Sequence, residues 1–445
     1  MAFRKELGRF DTAMVVVGGI IGAGIFINPY IVAQRLDSPA LVLAAWVAGG
    51  LVALAGALTF AELGTLFPKA GGHYVYLREA YHPLAGFLYG WGLLLMIEGG
   101  AIAAVAITFA EYSLRLVGRP EVSGQTLAVL AILVVAAVNY LGVKPGSRLL
   151  NTFVVLKLLP LGLLIGAGLL LPGGVEGLPD GGPSTVARAE GTGGGTVLVA
   201  FGAALIPVMF SYGGWQNANY VAEEMKDPVR DMPTSLLLGT GLVVLVYVSV
   251  NWVYLSALGH GGLAGTTTPA SDVASGLLGP TGSLLITLGI AISTFGFLNL
   301  TMLAPTRVYY AMARDGLFPE RVARLHPRFD TPSTAILIQT AWAVVLVLTG
   351  TYAQLVDYVV SADWIFFGLA GASLFVFRRT RPVGERDPSM FIAPGYPWIP
   401  GIFVAVAVVI VASVMWNNPV RSGLGFLLLA LGVPAFLFWN RRRAS

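Results

Sequence analysis

The chain is 445 residues long, with 56% hydrophobic and 11% charged side chains, a mean hydropathy of +0.77 and a formal net charge of +4. A soluble globular domain carries roughly 25% charged residues. This composition therefore excludes a soluble enzyme, a disordered chain and an ordinary DNA-binding module, and it calls for a lipid bilayer as partner rather than a nucleic acid. The chain has no cysteine, which excludes disulfides and thiolate metal sites, and its four histidines (His73, His82, His260 and His326) are scattered, so neither a metal nor a cofactor is expected.

A bilayer core takes about 20 apolar residues per helix. Twelve runs meet that length: 12–34, 40–66, 83–113, 124–141, 148–171, 196–222, 233–257, 281–306, 333–350, 354–377, 398–416 and 421–440. Alternating strand patterns are absent, so the expected class is an all-α integral membrane protein with 12 transmembrane helices. The first run follows Arg4, Lys5 and Arg9 and has no small-residue cleavage site, so no signal peptide is expected. With an even number of spans both termini share a side. Twenty-one of the 27 Lys and Arg residues fall on that side, five (Arg35, Arg115, Arg119, Arg188 and Arg421) fall on the other, and Lys157 lies within a span. The positive-inside rule then places both termini in the cytoplasm. The outer loops 172–195 and 258–280 are rich in Gly and Pro, and neither reads as a separate domain.

Two of the runs are interrupted. The first contains Gly18-Gly19-Ile20-Ile21-Gly22-Ala23-Gly24-Ile25-Phe26, and the sixth contains Pro207-Val208-Met209-Phe210-Ser211-Tyr212-Gly213-Gly214-Trp215. Unwound backbone at membrane depth is tolerated only where it is buried in protein or lines a cavity. Broken helices in corresponding positions, five spans apart, mark inverted-repeat transporters. A half-helix starting near Gly24 would present free N–H groups and a positive dipole end, which suits a carboxylate. One ending near Phe210 would present carbonyls, which suit an ammonium. A ligand with both groups on one carbon is an α-amino acid.

The Gly22–Phe26 motif, the stretch Glu62–Pro68 with Ala70–Tyr76, the sixth-run motif Phe210–Trp215 with Asn219-Tyr220 and Glu223-Glu224, and Ala304–Arg307 with Ala313–Gly316 together resemble the amino acid–polyamine–organocation (APC) superfamily, and its L-type amino acid transporter branch in particular. The resemblance implies a five-plus-five inverted repeat (LeuT-like) with discontinuous helices 1 and 6 and two additional helices. Repeat one would span about 12–171, repeat two about 196–377, and the extra helices about 398–440. It also implies that backbone around Ile20, Ile21, Ala23, Gly24 and Ile25 holds the substrate carboxylate, that carbonyls around Phe210, Ser211 and Gly213 hold the amine, and that Phe210, with Trp215, forms an aromatic gate. Eukaryotic members carry a cysteine between spans three and four that links a heavy-chain partner. None stands between Arg115 and Gly124 here, so no disulfide-linked heavy chain is expected and a bacterial, stand-alone protein is.

Lys157 lies nine residues beyond Arg148, on the order of 13 Å into the bilayer at ~1.5 Å per residue. A charge at that depth faces the protein interior and serves a function. Its position resembles the fifth-helix lysine of sodium-independent relatives, with Ser293 and Thr294 where the eighth-helix ion ligands of sodium-coupled relatives would lie. Glu98, mid-span in the third run, is read as a proton carrier, a substrate contact or a hydrogen-bonded buried acid. Asp363 in the tenth run is read similarly or as lying close to the outer water. Glu223 and Glu224 are expected to pair with basic loop residues.

The reading that follows is a secondary L-amino acid transporter of the cytoplasmic (inner) membrane, working by sodium-independent exchange. The neutral wall Phe210, Tyr212 and Trp215 points to small or medium neutral substrates. The alternatives are a proton-coupled symporter of cationic or broad specificity, which Glu98 would favour, and a membrane amino acid sensor. The sequence carries no HExxH, GxSxG or P-loop, which argues against an enzyme or a primary pump.

Overall fold

The computed structural model describes residues 3–119, 121–170, 195–350, 352–417 and 419–444. The loop 172–194, with Arg188, lies outside the described residues. Among the described residues the elements are helical, apart from one isolated parallel β-bridge between Leu7 and Met225. Helices suit this composition because hydrocarbon offers the backbone no hydrogen bonds, so each segment must satisfy its own.

The first interrupted run forms α1 (Arg9–Ile20) and α2 (Gly24–Arg35), bent by 40° at the break. Next comes α3 (Pro39–Leu66), started by Pro39 at its first position and by Ser38, whose hydroxyl accepts from the Leu41 N–H at 3.3 Å. A short helix α4 (His73–Ala80) precedes α5 (Pro83–Gly92), which runs through a π-helical stretch, Leu93–Ile97, into α6 (Glu98–Leu116). Helices α7 (Gln125–Tyr140) and α8 (Val143–Leu170) follow. The second interrupted run forms α9 (Gly195–Tyr212) and α10 (Asn217–Tyr220).

Then come α11 (Pro228–Gly265), kinked at Gly259, α12 (Pro269–Leu278), α13 (Pro280–Leu303) and α14 (Thr306–Arg314). The chain ends with α15 (Ser333–Thr349), α16 (Tyr352–Thr380), α17 (Trp398–Asn417), α18 (Pro419–Ala430) and α19 (Gly432–Ala444). Each of the twelve expected runs overlies helix. The expected loop 258–280 contains α12 and the end of α11.

Among the described residues seven units are long and apolar enough to cross a membrane: Pro39–Leu66, Pro83–Leu116, Val143–Leu170, Pro228–Gly265, Pro280–Arg314, Trp398–Trp416 and Ser422–Arg442. The bent α1–α2 pair makes an eighth. Leu51, Leu159, Leu198, Leu245 and Trp416 project outward with most of their surface exposed. So much exposed aliphatic surface would drive association in water, and it is the surface a multi-pass membrane protein turns to lipid.

Inside, α11 packs along α3 and α1, while α13 lies between α6 and α8. One end of the bundle is tied by buried ion pairs. Arg307 grips Glu224 through Nε–Oε1 at 2.6 Å and Nη2–Oε2 at 3.2 Å, and the Glu224 carbonyl accepts the N–H groups of Glu6 and Leu7, each at 3.0 Å. Glu62 accepts from Arg378 at 2.6 Å, Arg386 at 2.7 Å and the Ala393 N–H at 2.8 Å. Glu223 lies 3.7 Å from Arg314 and accepts from the Ala70 N–H at 3.2 Å.

Candidate functional site

The two interruptions meet. After Ile20 the backbone turns extended at Ile21, passes through Gly22 and Ala23, and resumes as α2. Among the described residues the N–H groups of Ala23 and Gly24 make no backbone hydrogen bond, as expected at a helix start. The second break comes two residues later than the expected end near Phe210. Pro207 removes one helical donor and leaves the Ala203 carbonyl unpaired, but the Arg35 guanidinium donates to that carbonyl, and the Ser211 hydroxyl donates to the Pro207 carbonyl at 2.9 Å. The helix therefore continues to Tyr212, and the chain breaks at Gly213–Gly214. Gly214 has φ +117°, a region that excludes most side chains. A Cβ at Gly19 would collide with the Gly214 carbonyl, and one at Gly214 with the Gly19 carbonyl, so this backbone-to-backbone contact requires glycine on both sides.

Lys157 is fully buried on α8, and its ammonium donates to the Gly18 carbonyl at 3.0 Å and to the Ile21 carbonyl. It thus places a cation at the negative end of α1. Ser293, on α13, reaches the Gly22 carbonyl at 3.5 Å, a long contact. Thr294 bonds back to its own helix, at 2.8 Å to the Ile290 carbonyl and 3.0 Å to that of Ala291.

The breaks face a cavity of about 370 Å³, within the usual size of a small-molecule site. It is lined by Ile20, Ala23 and Gly24 from one break and by Phe210, Ser211 and Gly213 from the other. Phe210 is 50% exposed there. Ile21 and Ile25 are fully buried and do not line it, so only their backbone lies near the break. Trp215, expected beside Phe210, and Tyr212 are also outside the lining. Trp215 is fully buried, stacked on Phe367 at 5.3 Å and edge-on to Phe403, and Tyr212 donates to the Trp46 carbonyl at 3.1 Å. Of the three rings expected in the sixth-run wall only Phe210 lines the cavity, beside Met209, Ser211, Gln216 and Tyr220.

Glu98 and Asp363 both line the cavity. Glu98 is 7% exposed, and its Oε2 has no hydrogen-bond partner. The π-helical stretch ends directly before it, and the Trp342 indole donates to the Leu95 carbonyl inside that stretch at 3.1 Å. A π-helical stretch changes the register of the helix that follows it, and Glu98 is the first residue after this one. Asp363 is partly buried on α16, on the cavity rather than in the outer water. Among the described residues no three His, Cys, Asp or Glu side chains come together as a metal site.

Sequence reasoning did not single out three residues that shape the site. The Tyr247 hydroxyl lies 3.0 Å from the Ile20 carbonyl and 3.2 Å from that of Ser211, so it touches both breaks. Asn28 donates to the Pro207 carbonyl at 2.9 Å and the Ser211 hydroxyl at 2.7 Å. Gln216 accepts from the Gly214 N–H at 2.9 Å and also lines the cavity. A buried Tyr or Asn in an apolar span is the only sequence signal for the first two, and many positions share it.

Membrane helices broken at paired glycines around a solute-sized cavity define a permease. The profile of the family described as "Amino acid permease" matches residues 7–438, and the chain belongs to that family, within the APC superfamily. Three relatives align over nearly the whole chain. The large neutral amino acids transporter small subunit 2 of Homo sapiens is 30% identical, covering 99% of this chain and 82% of that protein. The serine/threonine exchanger SteT of Bacillus subtilis (strain 168) is 30% identical, covering 99% and 98%. The b(0,+)-type amino acid transporter 1 of Homo sapiens is 31% identical, covering 98% and 88%.

Proposed function

We propose that this protein is a secondary transporter that moves L-amino acids across the cytoplasmic membrane by sodium-independent exchange and alternating access. The observation that carries this reading is the pairing of unsatisfied N–H groups at Ala23 and Gly24 with the carbonyl end of α9 across one cavity. Backbone there can hold an α-carboxylate and an α-ammonium, and it does so for any amino acid. Membership of the amino acid permease family and the similarity to a serine/threonine exchanger support it.

In this reading the chain has twelve spans. Residues 12–171 and 196–377 form two inverted five-helix repeats, 398–440 add two helices, and both termini are cytoplasmic. Lys157 and Ser293 stabilise the first break, and Phe210 closes over the substrate. A chain without cysteine acts without a disulfide-linked heavy chain. Of the neutral wall that suggested small or medium neutral side chains, Phe210 lines the cavity while Tyr212 and Trp215 stand outside it.

The test is uptake into proteoliposomes across a panel of labelled amino acids, with and without internal amino acid. Exchange predicts strong stimulation by internal substrate. Uptake indifferent to the lumen would exclude exchange, and binding without uptake would favour the sensor.

A further inference from the structure

We propose that Glu98 and Asp363 form a subsite for the cationic side-chain amine of the substrate, so that the cavity selects α-amino acids bearing a second ammonium. The inference rests on the amino acid reading above and names its substrate class. A buried carboxylate with no partner is costly and calls for a cation or a proton. Glu98 is such a group: it is 93% buried by its 7% exposure, its Oε2 is unbonded, and it opens on the cavity. A second carboxylate, Asp363, reaches the same cavity from a different helix. Among the described lining residues there is no Lys, Arg or His. Lys157, the buried base near the site, is spent on the Gly18 and Ile21 carbonyls and does not line the cavity.

The cavity therefore carries two acidic groups and no protein cation. The α-amino and α-carboxyl groups of a substrate are met by backbone at the breaks, so the acids are left for the side chain. An ammonium has three donors and no acceptor, which allows it to satisfy both carboxylates at once. Tyr220 and Trp364 line the same space.

Lysine and norleucine separate this proposal from its rivals, because they share a carbon chain and differ by the terminal ammonium. The full-length protein, purified and reconstituted, is assayed for uptake and binding of each labelled compound. The expected result is a preference for lysine of about tenfold or more, the range of a charge-assisted hydrogen bond. In Glu98→Gln and Asp363→Asn the lysine-to-norleucine ratio should fall by a similar factor, in protein that remains monodisperse on size exclusion. Either variant suffices if the other does not fold. Norleucine handled as well as lysine by the wild type, or a ratio unchanged in the variants, overturns the subsite; the acids then serve a proton alone, and amino acid transport stands. If neither compound, nor any other amino acid, is bound or moved, the amino acid reading fails and this inference with it.

Discussion

Replacing Lys157 by methionine keeps the length and apolar volume of the side chain and removes its charge. The ammonium makes two hydrogen bonds to carbonyls at the end of α1. Bonds to charged groups contribute about 1.5–3 kcal/mol each, so about 3–6 kcal/mol of local stabilisation disappears. The same change relieves the cost of burying a charge, which is several kcal/mol. The two terms largely cancel in global stability, so the melting temperature should move little. They do not cancel at the break, where the Gly18 and Ile21 carbonyls are left without their donor. A loss of about 3 kcal/mol from the unwound geometry lowers its population about 100-fold, and initial transport rate in proteoliposomes should fall by that order. A well-folded Lys157→Met protein transporting within about twofold of wild type would refute this account of the break.

Because the Lys157 ammonium already fills the space beside the first break, uptake in choline buffer should equal uptake in sodium buffer; many-fold stimulation by sodium would exclude that role. A Cβ at Gly24 would lie 2.8 Å from the Ser211 hydroxyl and 3.1 Å from its Cα. Gly24→Val should therefore abolish substrate binding through overpacking of about 1–3 kcal/mol or more, and normal affinity in a folded variant would show that this approach is slack. Tyr247→Phe strips a donor from two buried carbonyls at about 1–3 kcal/mol. It should weaken binding roughly tenfold, with an unchanged affinity by scintillation proximity counting against Tyr247 as a brace.

The positions of the helices and of both breaks were legible because they depend on local properties, namely long apolar runs and glycines where a bilayer penalises them. Lys157 was legible for the same reason, since depth alone marks a mid-span lysine. The half-helix of the sixth run was expected to end near Phe210, two residues early; Arg35 from another helix, donating to the Ala203 carbonyl that Pro207 leaves without its helical donor, supports the helix there, and no pattern within the run reveals that contact. The direction of Tyr212 and Trp215 depends on α3 and α17, through the Trp46 carbonyl and Phe403, which no periodicity within the sixth run reveals. Glu98 follows a π-helical stretch in which the Leu95 carbonyl accepts from Trp342, 247 residues further along the chain, a contact that no local pattern reveals.

The two breaks are braced in different ways, and the difference bears on how such a site can move. At the second, the Gly214 N–H is capped by Gln216 and its carbonyl accepts from Asn217 at 3.0 Å, both within three residues. That turn carries its own hydrogen bonds wherever it goes. At the first, the carbonyls of Gly18 and Ile21 rely on Lys157 from α8, while that of Ile20 accepts from the Gly22 N–H at 3.0 Å and from Tyr247 of α11 at 3.0 Å. Its geometry holds only while those helices stay in place. A displacement of α8 therefore bears on the first break through Lys157, whereas one of α11 bears on both through Tyr247. The glycine contact between Gly19 and Gly214 joins them with no side chain between, so little can damp the transfer of that movement from one break to the other.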